Sequence, residues 1–153
     1  MLLRPGSEGV LFVDDEPISR KWFARAFSDE FKVVTAAGAD EALQLLSERG
    51  NEFAVLVTDY RMPERDGMKL LKTVRRDHRH LIRLLATAYA EKEVAIAAVN
   101  QGQVLRILEK PLDEQVTREA LREAMALYRA QAFERSLNEG RAVALRETMG
   151  FPP

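Results

Sequence analysis

The sequence predicts an α/β fold, a doubly wound five-stranded parallel sheet with an extended C-terminal helix. Short apolar runs rich in valine and leucine alternate with stretches of helical periodicity, and the connections between them are short. Strands that are buried on both faces of a parallel sheet have such continuous apolar runs. Because crossover connections are right-handed and must cover both faces, repeated βα units predict helices on either side of the sheet.

Each predicted strand is an apolar run that ends at polar or turn-forming residues, which is typical of buried strands. The five predicted strands are Val10–Val13, Phe31–Thr35, Phe53–Thr58, Leu81–Ala86 and Val104–Leu108.

Turn and cap residues predict where the first three helices begin and end. Pro17 suits the first turn of the first helix. Asp40 is the predicted N-cap of the second helix, and Gly50 ends it. Asp66 and Gly67 open the third helix.

The fourth helix is predicted over Glu91–Val99, and the pattern from about residue 113 to about residue 148 stays helical. This last stretch exceeds an ordinary globular helix, so its second half must leave the domain or fold back. A weak apolar seam, interrupted by Gly140, could be formed by Phe133, Leu137 and Ala144.

Composition is ordinary for a globular protein, with 153 residues, 46% hydrophobic content and 31% charged content. The predicted organisation is a tail over residues 1–9, one domain over 10–130 and a helical extension over 131–153. A net charge of −1 and no concentrated basic face give no argument for direct nucleic acid binding. The absence of cysteine, of a signal peptide and of a membrane-spanning apolar run predicts a cytoplasmic protein that does not bind membranes.

Chemically useful side chains follow the ends of four predicted strands. Asp14 and Asp15 follow the first strand and Asp59 the third, while Thr87 follows the fourth and Lys110 the fifth. Open α/β sheets place their ligand crevice at this edge. Three carboxylates close together repel, which favours a hard cation such as Mg²⁺. A carboxylate can also act as a nucleophile and form an acyl phosphate, whose oxygens a hydroxyl and an ammonium group can stabilise.

In these motifs the chain resembles the receiver domain of bacterial response regulators, which has a flavodoxin-like fold. The resemblance covers residues 10 to 128, most of the chain. The matching motifs are Asp14-Asp15-Glu16, Asp59-Tyr60-Arg61-Met62-Pro63, Asp66-Gly67, Ala86-Thr87-Ala88 and Lys110-Pro111.

The resemblance implies a role for each of these side chains in two-component signalling. Asp59 would be the phosphoacceptor for a sensor histidine kinase or phosphotransfer protein, with Thr87 as the switch hydroxyl and Lys110 as the phosphate-binding lysine. Such a domain is not an enzyme in the ordinary sense, because it catalyses only its own phosphorylation and dephosphorylation. The implied Mg²⁺ ligands are Asp14, Asp15, Asp59 and the backbone carbonyl of Arg61.

One position departs from the family pattern. Many receivers carry an aromatic residue three positions before the lysine, and here that residue is Ile107. Tyr89 is a candidate replacement, and a surface tyrosine that only shields the site is an equal alternative.

The sequence leaves several alternatives for what phosphorylation of this domain would control. The chain could be a stand-alone receiver that docks partners through its helix four, strand five and helix five face, or a homodimer through that face or the C-terminal helix. It could also be the N-terminal fragment of a larger protein such as a hybrid histidine kinase. A hydrolase with an aspartyl nucleophile is a further alternative, but it would need an acid two residues after Asp59, where Arg61 stands.

Overall fold

A computed structural model describes residues 8–63, 67–101 and 103–150, with the side chain of Tyr89 excepted. The predicted doubly wound parallel sheet is confirmed, and its order β2-β1-β3-β4-β5 is that of flavodoxin-like folds. The strands are β1 Gly9–Val13, β2 Lys32–Ala36, β3 Phe53–Asp59, β4 Ile82–Thr87 and β5 Arg106–Glu109.

Five helices connect or follow these strands, and short 3-10 turns precede β3 and α4, at Gly50–Glu52 and Tyr89–Glu91. The helices are α1 Pro17–Phe27, α2 Ala39–Arg49, α3 Gly67–Asp77, α4 Lys92–Asn100 and α5 Glu114–Met149.

The sheet separates two hydrophobic cores because successive side chains of a strand point to opposite faces. On β1, Leu11 and Val13 face the core shared with α2, α3 and α4, whereas Val10 and Phe12 face the core shared with α1 and α5. The second core contains a stacked aromatic pair, with the rings of Phe12 and Phe23 4.0 Å apart. Covering both faces leaves only the strand ends open to ligands.

The predicted boundaries shift at several elements. Asp40 is not the N-cap of α2, because Gly38 occupies that position and Asp40 lies in the first turn. The run predicted as strand five begins to pair only at Arg106, although Val104 is buried in the core. Asp66, the other half of the predicted opening of α3, lies outside the described residues.

Helix α5 is 36 residues long and confirms the predicted extension. Asp113 caps its start by accepting a hydrogen bond from the backbone N–H of Val116, at 2.8 Å. Its last buried residue is Ala132, and the apolar side chains beyond it, such as Leu137 and Leu145, are exposed. Over the described residues, no helix is long and apolar enough to cross a membrane.

Gly67 at the start of α3 packs against the backbone at the end of β3. A Cβ atom at this position would lie 2.2 Å from the backbone oxygen of Asp59. The Gly67 N–H also donates to the carbonyl of Tyr60 at 2.8 Å. Only glycine allows this approach, so Gly67 fixes the backbone that carries Asp59.

We expect Gly67→Ala to destabilise the fold by ~1–3 kcal/mol, because the new methyl group meets backbone atoms that cannot rotate away. Gly140→Ala is the matched control, since nothing lies within 4 Å of a Cβ there and the change should stabilise the middle of α5 by about 0.5–1 kcal/mol. Urea unfolding of both variants measures the two effects. Equal stability of Gly67→Ala and the unmodified protein would contradict the close packing.

Candidate functional site

Parallel pairing brings the ends of β1, β3, β4 and β5 to one edge of the sheet. The backbone continues the ladder beyond the last strand, since the Lys110 N–H donates to the carbonyl of Thr87 at 2.9 Å. At this edge lie the five side chains predicted from the sequence: Asp14, Asp15, Asp59, Thr87 and Lys110.

Lys110 bridges two buried carboxylates at the centre of the site. Its Nζ lies 3.2 Å from Oδ2 of Asp14 and 3.3 Å from Oδ2 of Asp59. Asp14 is fully buried and Asp59 is 6% exposed. A buried carboxylate needs such a cation, because the cost of removing its charge from water is otherwise uncompensated.

The carboxyl group of Asp59 is hard to ionise in this environment. Burial raises the pKa of Asp59 from 3.8 to about 6, with Lys110 opposing the shift and the negative charge of Asp14 adding to it. Burial alone would lower the pKa of Lys110, but the carboxylates of Asp59 and Asp14 outweigh it and raise this pKa. The lysine therefore stays charged, and the cluster still carries uncompensated negative charge.

Three carboxylates converge closely enough to share a cation. One oxygen from each of Asp14, Asp15 and Asp59 lies within 4.8 Å of the others. Asp15 is half-buried and lines a surface cleft of about 380 Å³ together with Arg61. Carboxylate oxygens beside an open cleft suit a hard cation that keeps some of its water ligands.

Two contacts around Asp14 are not evident from the sequence. Its Oδ1 accepts a hydrogen bond from the backbone N–H of Glu16 at 2.9 Å, which is the turn expected of an aspartate before a helix. Its backbone carbonyl accepts from Nη1 of Arg20 at 2.8 Å. Arg20 therefore ties α1 to the loop that carries the acidic pair.

Glu91 contacts two residues of the candidate site and was not predicted from the sequence. Oγ1 of Thr87 donates to Oε2 of Glu91 at 2.9 Å, and the guanidinium of Arg61 forms an ion pair with the same carboxylate. Burial raises the pKa of Glu91, but the donors Arg61 and Thr87 outweigh it, so the net shift is downward. No pattern in the sequence indicated this contact, because Thr87 ends β4 and Glu91 lies in the 3-10 turn that follows.

Ile107, which stands where many receivers carry an aromatic residue, is a packed residue of β5. Ile107 is half-buried on β5, pairs in register with Leu85 of β4 and packs against the core on the α4 side. The side chain of Tyr89, the candidate replacement, lies outside the described part of the chain.

A second cleft, of about 540 Å³, adjoins the acidic cluster on the α1 side. Asp14 and Lys110 form its floor, and Ile18 and Trp22 stand at its rim. Ile18 is 82% exposed, and Trp22 is 37% exposed with its ring edge-on to Phe27. Exposed large apolar groups beside a polar site are typical of a surface that a partner covers.

Comparison with known proteins gives a family match. The model of the response regulator receiver domain family matches residues 10–122. A crystal structure of a response regulator receiver domain protein from Clostridium thermocellum superimposes with a TM-score of 0.76 at 26% identity, over 81% of this chain and 98% of that chain.

Curated relatives are longer proteins. The chain is 36% identical over 102 residues to the hydrogenase transcriptional regulatory protein HoxA of Cupriavidus necator, which covers 67% of this chain and 21% of HoxA. It is 37% identical over 91 residues to the sensor kinase CckA of Brucella abortus, which covers 59% of this chain and 10% of CckA. The chain thus spans about a fifth or less of these two relatives.

The raised pKa of Asp59 predicts a pH-dependent effect of Asp59→Asn. A carboxyl whose pKa is raised by folding stabilises the fold at low pH, and this contribution is lost as the pH rises from about 4 through about 6. The amide that replaces the carboxyl cannot ionise, so in metal-free buffer the variant should gain stability relative to the unmodified protein across this window, by at most about 3 kcal/mol.

Thermal unfolding between pH 4 and pH 8 measures this gain. Asp77→Asn is the control, because the Arg76 hydrogen bond lowers the pKa of Asp77 and the pH trend should reverse. A difference between Asp59→Asn and the unmodified protein that stays constant with pH would contradict the raised pKa.

Proposed function

Because the chain belongs to the response regulator receiver domain family, we propose that it is a phosphoacceptor of a two-component system, phosphorylated on Asp59. The donor is a sensor histidine kinase or a phosphotransfer protein. The observation that carries this proposal is the contact of Lys110 Nζ with Asp59 Oδ2, at 3.3 Å, inside a cluster of three acids. This contact joins a nucleophilic carboxylate and a phosphate-binding cation at one point.

The chemistry is an in-line transfer to a carboxylate. A carboxylate oxygen of Asp59 forms a bond to phosphorus as the phosphorus–nitrogen bond of a phosphohistidine breaks. Lys110 already contacts Asp59, and its ammonium group can form an ion pair with the phosphoryl oxygens after the transfer. Since Asp59 has a pKa of about 6, its nucleophilic form predominates at neutral pH.

The residues present fit the Mg²⁺ that this family uses. Asp14, Asp15 and Asp59 supply oxygen ligands, and Arg61 lines the cleft beside Asp15, where its carbonyl would complete the set. When bound, the ion supplies positive charge against the acidic cluster and the phosphoryl oxygens. The site as described is rich in carboxylates, so it favours such an ion before phosphate arrives.

The cleft rimmed by Ile18 and Trp22 suits the phosphate donor. A kinase or phosphotransfer protein that covers these apolar groups brings its phosphohistidine toward Asp14 and Lys110 on the cleft floor. Covering the cleft also removes water, which strengthens the charged contacts of the site.

Two exposed apolar surfaces are candidates for passing the effect of phosphorylation to a partner. On α4, the side chains of Val94, Ile96 and Val99 are exposed, and so are those of Phe133 and Leu137 on α5. Either surface could bind a partner or form a homodimer, with residues 10–130 as the receiver domain and 131–153 as the extension. Similarity to CckA keeps the alternative of a receiver within a longer signalling protein. The hydrolase alternative gains no support, because Arg61 occupies the required acid position and pairs with Glu91.

Phosphorylation on Asp59 requires that Asp59→Asn abolish the label. We expect the unmodified protein to take up acid-labile, hydroxylamine-sensitive phosphate from phosphoramidate in the presence of Mg²⁺, and Asp59→Asn to take up none. Asp77→Asn, which removes an exposed acid elsewhere, should label normally. Retention of the label on Asp59→Asn would refute the assignment.

Glu91 should compete with phosphate for Thr87. It accepts the hydrogen bond of the Thr87 hydroxyl, which would otherwise be donated to a phosphoryl oxygen. We expect Glu91→Ala to bind beryllofluoride with Mg²⁺ about threefold to tenfold more tightly, since one competing hydrogen bond to a charged group is removed. Fluorescence of Trp22, the single tryptophan, reports the titration.

Glu93→Ala, an exposed change on α4 near Glu91, is the matched control and should leave the affinity unchanged. Thr87→Ala should weaken binding in both backgrounds. An affinity that is unchanged or weaker in Glu91→Ala would show that Glu91 does not compete for Thr87.

A further inference from the structure

A third concave surface lies at the opposite edge of the sheet, near the start of β4. This cavity, the basic cavity, has a volume of about 590 Å³. The described residues that line it are five cations and one amide: Lys72, Arg75, Arg76, Arg79, Arg83 and Gln103. The prediction that no concentrated basic face exists is therefore wrong, because Lys72 and Arg83 join the arginines of residues 75–79 only in the folded chain.

Arg83 is the fixed element of the basic cavity. It is half-buried, and its Nε donates to the carbonyl of Gln103 at 2.8 Å while Nη1 donates to the carbonyl of Leu81 at 3.1 Å. These two carbonyl oxygens orient the guanidinium, and arginine remains protonated at neutral pH. Burial and the nearby charge of Arg75 lower the pKa of Arg83, which shows that the cations of this cavity repel one another.

The surrounding cations are mostly available to a ligand. Arg76 is paired with Asp77 through two hydrogen bonds of 2.9 and 3.0 Å. Arg75 donates to the carbonyl of Gln101 at 3.0 Å, which leaves its charge uncancelled. Lys72 and Arg79 are exposed and make no ion pair with a described residue.

Gln103 is the uncharged residue of the lining. It is 8% exposed, and its side-chain oxygen is buried without a hydrogen-bond partner among the described residues. A buried acceptor without a donor is uncommon in folded proteins and costly. The oxygen is enclosed by protein, however, and an acceptor cannot bond to a deprotonated phosphate oxygen, so the case for an anion rests on the cations.

We propose that the basic cavity binds a small, multiply charged phosphate compound. Arginine forks match phosphate geometry, and an anion would relieve the repulsion among the cations. The volume lies in the range of small-molecule sites, roughly 300–1,000 Å³. None of the described lining residues is aromatic, so the cavity offers no stacking surface for a base. Recognition therefore rests on the phosphate groups, and it is independent of phosphorylation at Asp59.

Isothermal titration of the full chain with tripolyphosphate, and separately with ATP, tests the proposal. Mg²⁺ is left out of the buffer, so that the acidic cluster at the other edge of the sheet repels these anions and does not bind them through a metal ion. We expect saturable one-to-one binding of tripolyphosphate. Equal affinity for ATP and tripolyphosphate would identify the phosphate chain as the recognised group. Tighter binding of ATP would identify a nucleotide as the ligand that carries this chain.

The variant Lys72→Ala/Arg79→Ala removes two exposed charges of the basic cavity and should weaken binding by about tenfold or more. Lys21→Ala/Arg141→Ala removes two exposed charges on α1 and α5, outside the lining of the cavity, and should bind as the unmodified protein does. Equal weakening in both double variants, or absence of binding to the unmodified protein, overturns the proposal. Binding of a single-stranded oligonucleotide without binding of either small anion would overturn it in favour of nucleic acid.

Discussion

The ammonium group of Lys110 lies between the buried carboxylates of Asp14 and Asp59, 3.2 and 3.3 Å from them, and the rest of the site depends on this bridge. Without it, two carboxylate charges could not be held together in so small a buried volume at an acceptable cost. One lysine does not neutralise three acids, however. Burial, with the negative charge of Asp14 adding to it, raises the pKa of Asp59. The remaining negative charge makes the cluster receptive to a divalent cation.

Backbone packing holds this arrangement of charges in place. The parallel register brings the ends of four strands together, and Gly67 lets α3 begin directly against the Asp59 carbonyl. On the far side of the site, Glu91 holds Thr87 and Arg61 together. The proposed nucleophile, Asp59, is thus fixed by closely packed backbone, whereas the hydroxyl of Thr87 is held by a single side chain that can exchange partners.

The sheet and the acidic cluster could be predicted because their causes are local. Four of the five apolar runs end beside a residue of the candidate site, so parallel topology alone brings Asp59 and Lys110 to one edge. Contacts between elements were not predictable in this way. Glu91 reaches Arg61 across 30 positions, and Lys72 meets Arg83 only because α3 ends beside the start of β4. Periodicity and local spacing do not predict such tertiary contacts, and for the same reason the basic cavity was not predicted from the sequence.

The central claim is that Asp59 is the carboxylate that accepts phosphate. Its most direct test is chemical: the protein is phosphorylated with Mg²⁺ and a small phosphodonor, reduced with borohydride and digested, and the modified residue is located by mass spectrometry. Borohydride converts an aspartyl phosphate to homoserine, so the account predicts homoserine in place of Asp59. Homoserine in place of Asp14 or Asp15, or none at all in protein that carries acid-labile phosphate, would contradict it.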